Sequence, residues 1–201
     1  EFNQFLASRK QHLHAGLLFV LNAQGDCISA SNAQTEHSIV GQNFAERDYF
    51  KATQQGQRGV QYAVGKITHV SGLFFSTPLY LNGKFYGAMV LKIDTPQLAY
   101  LVQHQEAFIS DQNGVIILAH DEKIERSAMP NATLAKLSAS TQFGLYQREH
   151  IATLAMQPAE SINNITLFKM YNSDLLHVFA SAEIPELNLT VHISNKLPQL
   201  E

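Results

Sequence analysis

The chain has 201 residues, of which 45% are hydrophobic and 15% are charged, and its formal net charge is −3. This length and hydrophobic content are typical of a protein that folds around one large core or two small ones. The slight negative charge, without clusters of Lys and Arg, argues against a nucleic-acid-binding protein, because such proteins neutralise phosphates with clustered cations. The longest apolar run, Ala15 to Leu21, is much shorter than the ~18 residues that cross a bilayer. The first residues also lack the basic start of a signal peptide, so we expect none there.

The first predicted elements are a helix and a β-hairpin. Phe2, Phe5, Leu6, Arg9 and Leu13 recur at three- and four-residue spacing, which indicates an amphipathic helix over residues 2–13. An apolar run over residues 17–21 then leads through a turn with glycine into alternating residues 26–31, which is typical of a hairpin. The single cysteine, Cys27, lies in the second strand of this hairpin and excludes an intramolecular disulfide. We expect it to be a small buried residue.

The hairpin pattern occurs twice. Residues 108–120 repeat the pattern of residues 19–31, with a turn glycine at the same offset. A strand meander follows each copy, over residues 76–93 and again over residues 179–193. Duplication of one unit is the economical explanation, although chance similarity of two short hairpins is the alternative.

A helix is predicted between the two copies. Asp94-Thr95-Pro96 has the features of a helix start, with an N-cap residue followed by proline in the first turn. The predicted fold is therefore α+β: an N-terminal helix, then two tandem units, each with a central antiparallel sheet flanked by helices. The boundaries are 1–14 for the N-terminal helix, 15–94 for the first unit, 95–105 for the connecting helix and 106–201 for the second unit.

The sequence lacks the common catalytic and metal-binding motifs. There is no Gly-x-Ser-x-Gly motif, and the segment from Gly59 to Lys66 departs from a phosphate-binding loop because five residues separate its glycines and Ile67 replaces the Ser or Thr. The nine histidines are scattered and form no pair at metal-ligand spacing. We therefore expect neither an enzyme nor a metal or cofactor site.

One stretch of the first unit is dense in polar and aromatic residues. Arg47, Tyr49 and Phe50 lie close together, and Lys92 interrupts an apolar strand over residues 88–93. Arginine and lysine together suit a small carboxylate, with hydroxyl groups completing its shell. The hydroxyl groups in question belong to Tyr49, Tyr62, Thr68 and Ser71. The alternative is that Tyr49 and Phe50 are core residues while Arg47 and Lys92 face solvent.

The segments 40–50, 62–65, 72–78 and 87–94 resemble the double Cache family, whose members are tandem PAS-like periplasmic sensor domains. The similarity is greatest to sensors of four-carbon dicarboxylates found in histidine kinases, and to relatives on diguanylate cyclases. It is specific over residues 39–94 and mostly topological after Phe108.

The resemblance implies a ligand site in the membrane-distal unit and an empty or structural second unit. The residues it predicts to bind the ligand are Arg47, Tyr49, Thr68, Ser71 and Lys92, and we expect Tyr62, His69 and Phe75 to complete the site. The loop over residues 68–72 contains no acidic residue that would hold an ammonium group, which disfavours an amino-acid ligand. His69 within this loop either makes recognition sensitive to pH or faces solvent.

These observations predict an extracytoplasmic sensor domain of a bacterial transmembrane receptor that binds a small organic acid. The resemblance implies a periplasmic domain of an inner-membrane protein, tethered by flanking helices outside this chain and dimeric in the full receptor. It also implies a cytoplasmic enzyme outside this chain, a histidine kinase or a diguanylate cyclase. The alternative is a periplasmic interaction or dimerisation module with a vestigial pocket.

Overall fold

The computed structural model describes residues 1–103, 106–170 and 175–197. Its helices are α1 (Phe2–His12), α2 (Asp48–Gln54) and α3 (Ala139–Tyr146). Short 3₁₀ helices span Thr95–Val102, Glu122–Ile124, Leu134–Lys136 and Pro185–Leu187. The strands are β1 (Leu17–Asn22), β2 (Cys27–Ala30), β3 (Gly59–Val64), β4 (Ser71–Leu81), β5 (Lys84–Asp94), β6 (Ala107–Asp111), β7 (Ile116–Ala119), β8 (Met156–Ile162), β9 (Ile165–Met170), β10 (Leu176–Ile184) and β11 (Leu189–Lys196).

The chain divides into two compact units, which we call unit 1 and unit 2. Unit 1 comprises residues 1–97 and 144–147, and unit 2 comprises residues 98–143 and 148–201. The division falls after Gln97, within the 3₁₀ helix that follows β5. The predicted α+β class with two antiparallel sheets is confirmed.

Unit 1 is a five-stranded sheet in the order β2-β1-β5-β4-β3 with a helix on each face. Helix α1 buries Leu6 against Leu18 and Val20 on one face. The other face carries Phe19 and Phe74, and Tyr49 of α2 stacks on Phe74. Because side chains alternate along a strand, each β1 residue is committed to one of these two layers.

Unit 2 is a six-stranded sheet in the order β7-β6-β11-β10-β9-β8. Its core forms where β6 and β7 meet the segment that follows them. The buried residues of this core are Phe108, Ile116, Ala119, Ile124, Met129 and Leu154.

The register of the strands supports the predicted duplication. Phe19 pairs with Ala30 and Val90, and Phe108 pairs with Ala119 and with the β11 residue His192. Both hairpins bulge at the same offset, after Val20 and after Ile109. Their turns also match, because Asn22 and Asp111 each accept two backbone N–H groups through the side chain.

One of the two helix predictions needs correction. The connecting segment is a 3₁₀ helix that ends at Val102 rather than an α-helix to residue 105, and residues 104 and 105 lie outside the described residues. Thr95 and Pro96 begin this segment as the sequence predicts, since proline is tolerated in the first turn of a helix; the tighter 3₁₀ winding was not predicted. Helix α1 forms as predicted but buries only Leu6, while Phe2 and Phe5 are about half exposed. Within the described ranges, no helix has the length and apolar character needed to span a membrane.

Candidate functional site

Arg47 and Tyr49 are brought together by the start of α2. Arg47 is the N-cap residue with an extended backbone (φ −71°, ψ 134°), so the helical turn begins only after it. The two side chains therefore reach the same space despite their separation by two positions, and both are buried. The Arg47 guanidinium donates a 3.4 Å hydrogen bond to the Val64 carbonyl.

Lys92 enters the same space from the middle of the sheet. It lies on β5 opposite Phe74, and its side chain is only 3% exposed. Its ammonium group lies 2.5 Å from an Asp94 carboxylate oxygen and 5.7 Å from the centre of the Phe74 ring. Burial lowers the pKa of Lys92, and the Asp94 carboxylate opposes this effect.

Tyr49 carries a hydroxyl group without a hydrogen-bond partner among the described residues. Its ring stacks on Phe74 with a centroid distance of 5.3 Å and an interplanar angle of 8°. Burial raises the pKa of the phenol well above its ordinary value, so the group stays protonated. A buried hydroxyl without a partner costs stability, because it has lost its hydrogen bond to water. It therefore marks a position where a ligand acceptor would be stabilised.

The loop after β3 supplies a third cation that the sequence analysis did not select. Lys66 donates to Glu46 at 2.5 Å and to the Asn43 carbonyl at 3.3 Å. Glu46 also lies 3.6 Å from the Arg47 guanidinium. Although burial alone would raise the pKa of Glu46, the hydrogen bond and charge of Lys66 lower it overall, so the carboxylate stays ionised. The signal for Lys66 was its place directly before the polar loop, in the segment that we compared with a phosphate-binding loop.

These side chains surround a small cavity in unit 1, which we call the cationic cavity. Its volume is about 20 Å³, enough for about one water molecule and far below the roughly 300 Å³ at which ligand pockets begin. Within the described residues its lining includes three cations and no carboxylate. The lining residues are Leu17, Phe19, Ile39, Phe44, Arg47, Tyr49, Gly65, Lys66, Ile67, Thr68, Phe74 and Lys92.

Half of the predicted site residues line this cavity. Arg47, Tyr49, Thr68 and Lys92 do so. Thr68 approaches Gly65 so closely that a Cβ atom at Gly65 would collide with the Thr68 hydroxyl.

The structure does not bring the other four residues into the cavity. Tyr62 pairs with Leu73, so it lies on the α1 side of the sheet, and Phe75 lies on that side as well because it neighbours Phe74. His69 is exposed, with a left-handed backbone (φ 53°) in the turn. Ser71 accepts a 3.0 Å hydrogen bond from the Thr95 hydroxyl.

Two curated relatives match part of the chain. One is the C4-dicarboxylate transport sensor protein DctB of Rhizobium meliloti, 24% identical over 147 residues, which are 71% of this chain and 24% of the relative. The other is the protein of the same name from Pseudomonas aeruginosa, 26% identical over 122 residues, or 60% of this chain and 20% of the relative. The matches thus span about a quarter and a fifth of these relatives. No protein-family model matches the chain.

Solved structures share the fold over almost the entire chain. The sensor domain of the Vibrio cholerae histidine kinase DctB aligns with a TM-score of 0.83 and 21% identity, covering 98% of this chain and 78% of that domain. The chain has the fold of the DctB sensor domain.

Other sensor domains match the chain at a lower TM-score. The periplasmic domain of RsbU from Chlamydia trachomatis aligns with a TM-score of 0.69 and 14% identity, covering 96% of this chain and 74% of that one. The ligand-binding domain of Mlp24 with asparagine aligns with a TM-score of 0.59 and 15% identity, covering 97% and 74%. The DctB fold is therefore shared with domains described as periplasmic and as ligand-binding.

Proposed function

We propose that this chain is the periplasmic sensor domain of a bacterial membrane receptor and that its cationic cavity binds a small organic acid. The observation that carries the proposal is the convergence of Arg47, Lys66 and Lys92 on one buried space in unit 1. A carboxylate there gains charge-assisted hydrogen bonds in a water-poor environment, where they are stronger than in bulk solvent. The DctB relatives are described as sensors of C4-dicarboxylates, which supports the same class of ligand here.

The charges in the cavity favour a dicarboxylate over an amino acid. Two carboxylates of the chain itself already pair with the cations, Glu46 at Arg47 and Lys66, and Asp94 at Lys92. An acid with two carboxylates would take the place of both. Once Glu46 and Asp94 are displaced, the three cations of the described lining would repel an ammonium group, which costs electrostatic free energy. This sets the chain apart from the Mlp24 domain, whose structure contains asparagine.

Binding requires the cavity to open. The cavity volume of about 20 Å³ in the described conformation has room for about one water molecule and is too small for an organic acid. The acid would therefore bind an expanded conformation and shift the population toward it, because a ligand biases only the states that it binds differently. This population shift would be the signal. Membrane segments outside this chain would pass it to a cytoplasmic enzyme, which also lies outside this chain.

A thermal stability screen tests the proposal. Succinate, malate, acetate and pyruvate are added separately to the wild-type chain, to Arg47→Ala and to a matched control, Arg58→Ala, which removes an exposed arginine of unit 1. We expect at least one acid, most strongly a dicarboxylate, to raise the melting temperature of the wild type and of the control but not of Arg47→Ala. The organic-acid assignment is wrong if none of the acids stabilises the wild type at millimolar concentration.

A further inference from the structure

A second cavity lies on the sheet of unit 2. The pair Phe19–Val90 in unit 1 corresponds to the pair Phe108–His192 in unit 2. The face of the unit 1 sheet that α2 covers is therefore equivalent to the face of the unit 2 sheet that carries Phe108 and His192. In unit 1, Tyr49 of α2 stacks on this face. In unit 2, residues 129–133 instead border an open cavity of about 950 Å³, which is large enough for a small organic ligand.

Aromatic rings form one wall of this cavity, which we call the aromatic cavity. Phe168 of β9 and Phe179 of β10 meet edge to face at 5.4 Å with an interplanar angle of 84°. Both side chains line the cavity and are only half-buried, so ring surface faces the open space. An exposed aromatic face carries a negative quadrupole, which attracts cations and repels anions.

The buried end of the aromatic cavity is neutral. His192 bonds to the Ser110 hydroxyl through Nε2 at 2.9 Å and to the Ser181 hydroxyl through Nδ1 at 2.8 Å. Its ring stacks on Phe108 at 4.7 Å. Burial lowers the pKa of His192 to about 4, so the imidazole is uncharged at neutral pH.

The only charged side chains in the described lining of this cavity are carboxylates. Asp111 and Glu183 contribute negative charge, and neither Lys nor Arg is present. The Asp111 carboxylate accepts the backbone N–H groups of Asn113 and Val115 at 2.9 Å, so it is held within the hairpin turn. The aromatic cavity therefore has the opposite charge to the cationic cavity of unit 1.

We propose that the aromatic cavity of unit 2 is a second ligand site and that it binds a small organic cation, namely a quaternary ammonium group with a short polar arm. The ammonium group lies against Phe168 and Phe179 through cation–π attraction. Glu183 supplies the counter-charge, the Asp111 carboxylate in the adjoining turn adds to the negative potential, and the Ser181 hydroxyl bonds to the polar arm. Acids of the class proposed for unit 1 are excluded by the two carboxylates. This assignment revises the expectation that unit 2 is empty.

Calorimetric titration with a charged ligand and its neutral isostere tests the proposal. Choline is the cationic probe, and 3,3-dimethyl-1-butanol, in which carbon replaces the quaternary nitrogen, is the uncharged probe of the same shape. We expect saturable binding of choline and binding of the alcohol that is weaker by about tenfold or more. Equal binding of the two probes would show that charge plays no part and would overturn the assignment.

Variants of the lining residues test whether choline binds in this cavity. Phe168→Leu preserves apolar volume but removes the ring, and Glu183→Gln removes one charge. Each should weaken choline binding by about threefold to tenfold. The matched control is Glu160→Gln, which removes an exposed carboxylate of β8 that does not line the cavity.

A blocking variant keeps the test decisive if the ring variant unfolds. Ser181→Trp fills the aromatic cavity, whereas Ala182→Trp places the same bulk on the other face of β10. Choline binding should be lost in the first and retained in the second. Retention of full affinity in Ser181→Trp contradicts the site. The titrations need no organic acid, so their outcome is independent of the function proposed for unit 1.

Discussion

At the scale of single residues, we expect the Tyr49 hydroxyl to contribute to ligand binding and not to the stability of the fold. Its buried hydroxyl has no hydrogen-bond partner among the described residues. Deleting it in Tyr49→Phe should leave the free energy of unfolding unchanged or raise it by up to about 1 kcal/mol, because no bond is lost and a desolvated group is removed.

The same variant should bind less of the acid. Urea denaturation with and without succinate measures both effects, and we expect a smaller succinate-induced stabilisation in Tyr49→Phe than in the wild type. A variant that is less stable than the wild type by 1 kcal/mol or more, yet responds fully to succinate, would show that the hydroxyl serves the fold rather than a ligand.

The burial of His192 predicts how the free energy of unfolding depends on pH. Because burial lowers its pKa to about 4 in the folded chain, the unfolded chain binds more protons between pH 6.5 and pH 4. The contribution of the neutral His192 to the free energy of unfolding is therefore fully present above pH 6.5. It is lost as the pH falls through this window, by up to about 3 kcal/mol.

The variant His192→Gln isolates this contribution. It keeps a hydrogen-bonding side chain between Ser110 and Ser181 but does not titrate, so its stability should fall less between pH 6.5 and pH 4. Asp111 and Glu183, the titratable neighbours in the lining, are present in both proteins and cancel in the comparison. Parallel urea-denaturation profiles of the two proteins would refute a neutral buried imidazole.

At the scale of elements, the seat of α2 on the sheet is set by a glycine. A Cβ atom at Gly59 of β3 would lie 2.6 Å from the Ser76 hydroxyl and would collide with the Tyr49 carbonyl. The Ser76 hydroxyl donates to that carbonyl at 2.7 Å. Gly59→Ala therefore forces α2 away from β3 and β4, and we expect a loss of about 1–3 kcal/mol in the free energy of unfolding.

A second glycine provides the control for this prediction. Gly144 in α3 has no neighbouring atom within 4 Å of an added Cβ, so Gly144→Ala should be neutral or stabilise by up to about 1 kcal/mol. Because Gly59→Ala displaces Tyr49, it should also weaken the response to succinate. Equal unfolding midpoints for the two alanine variants would contradict this account of how α2 is positioned.

The hairpins were predictable from the sequence, but the face on which some strand residues lie was not. The turn glycines and alternating residues predicted both hairpins. Arg47 beside Tyr49, together with a lysine inside an apolar strand, predicted the clustering of Arg47 with Lys92. The face of Tyr62 was not predictable, because it depends on which residue of β4 it pairs with, and a shift of one residue reverses the face. Lys66 was missed because its role depends on the loop conformation that brings it to Glu46.

At the scale of the whole molecule, the repeated unit supports two cavities of opposite charge. The two cavities lie on equivalent faces of the two sheets. Their lining residues set the charge: Arg47, Lys66 and Lys92 in unit 1, and Asp111 and Glu183 in unit 2. The aromatic cavity was not predicted from the sequence, because it depends on what covers the sheet rather than on a motif.

Hydrogen–deuterium exchange with each ligand tests this division. Succinate should slow amide exchange around Arg47 and residues 65–70, since bound acid orders the groups that contact it. Choline should slow exchange in β9, β10 and residues 129–133. Protection by succinate that is confined to unit 2 would contradict the assignment of the acid to unit 1.

The measurement that tests the central claim most directly is a crystal structure of the chain grown with succinate. We predict an enlarged cationic cavity, with electron density for the acid between the Arg47 guanidinium and the Lys92 ammonium group. The Glu46–Lys66 ion pair should be broken in that structure. A cavity that stays closed at saturating succinate, or succinate bound only outside it, would contradict the account.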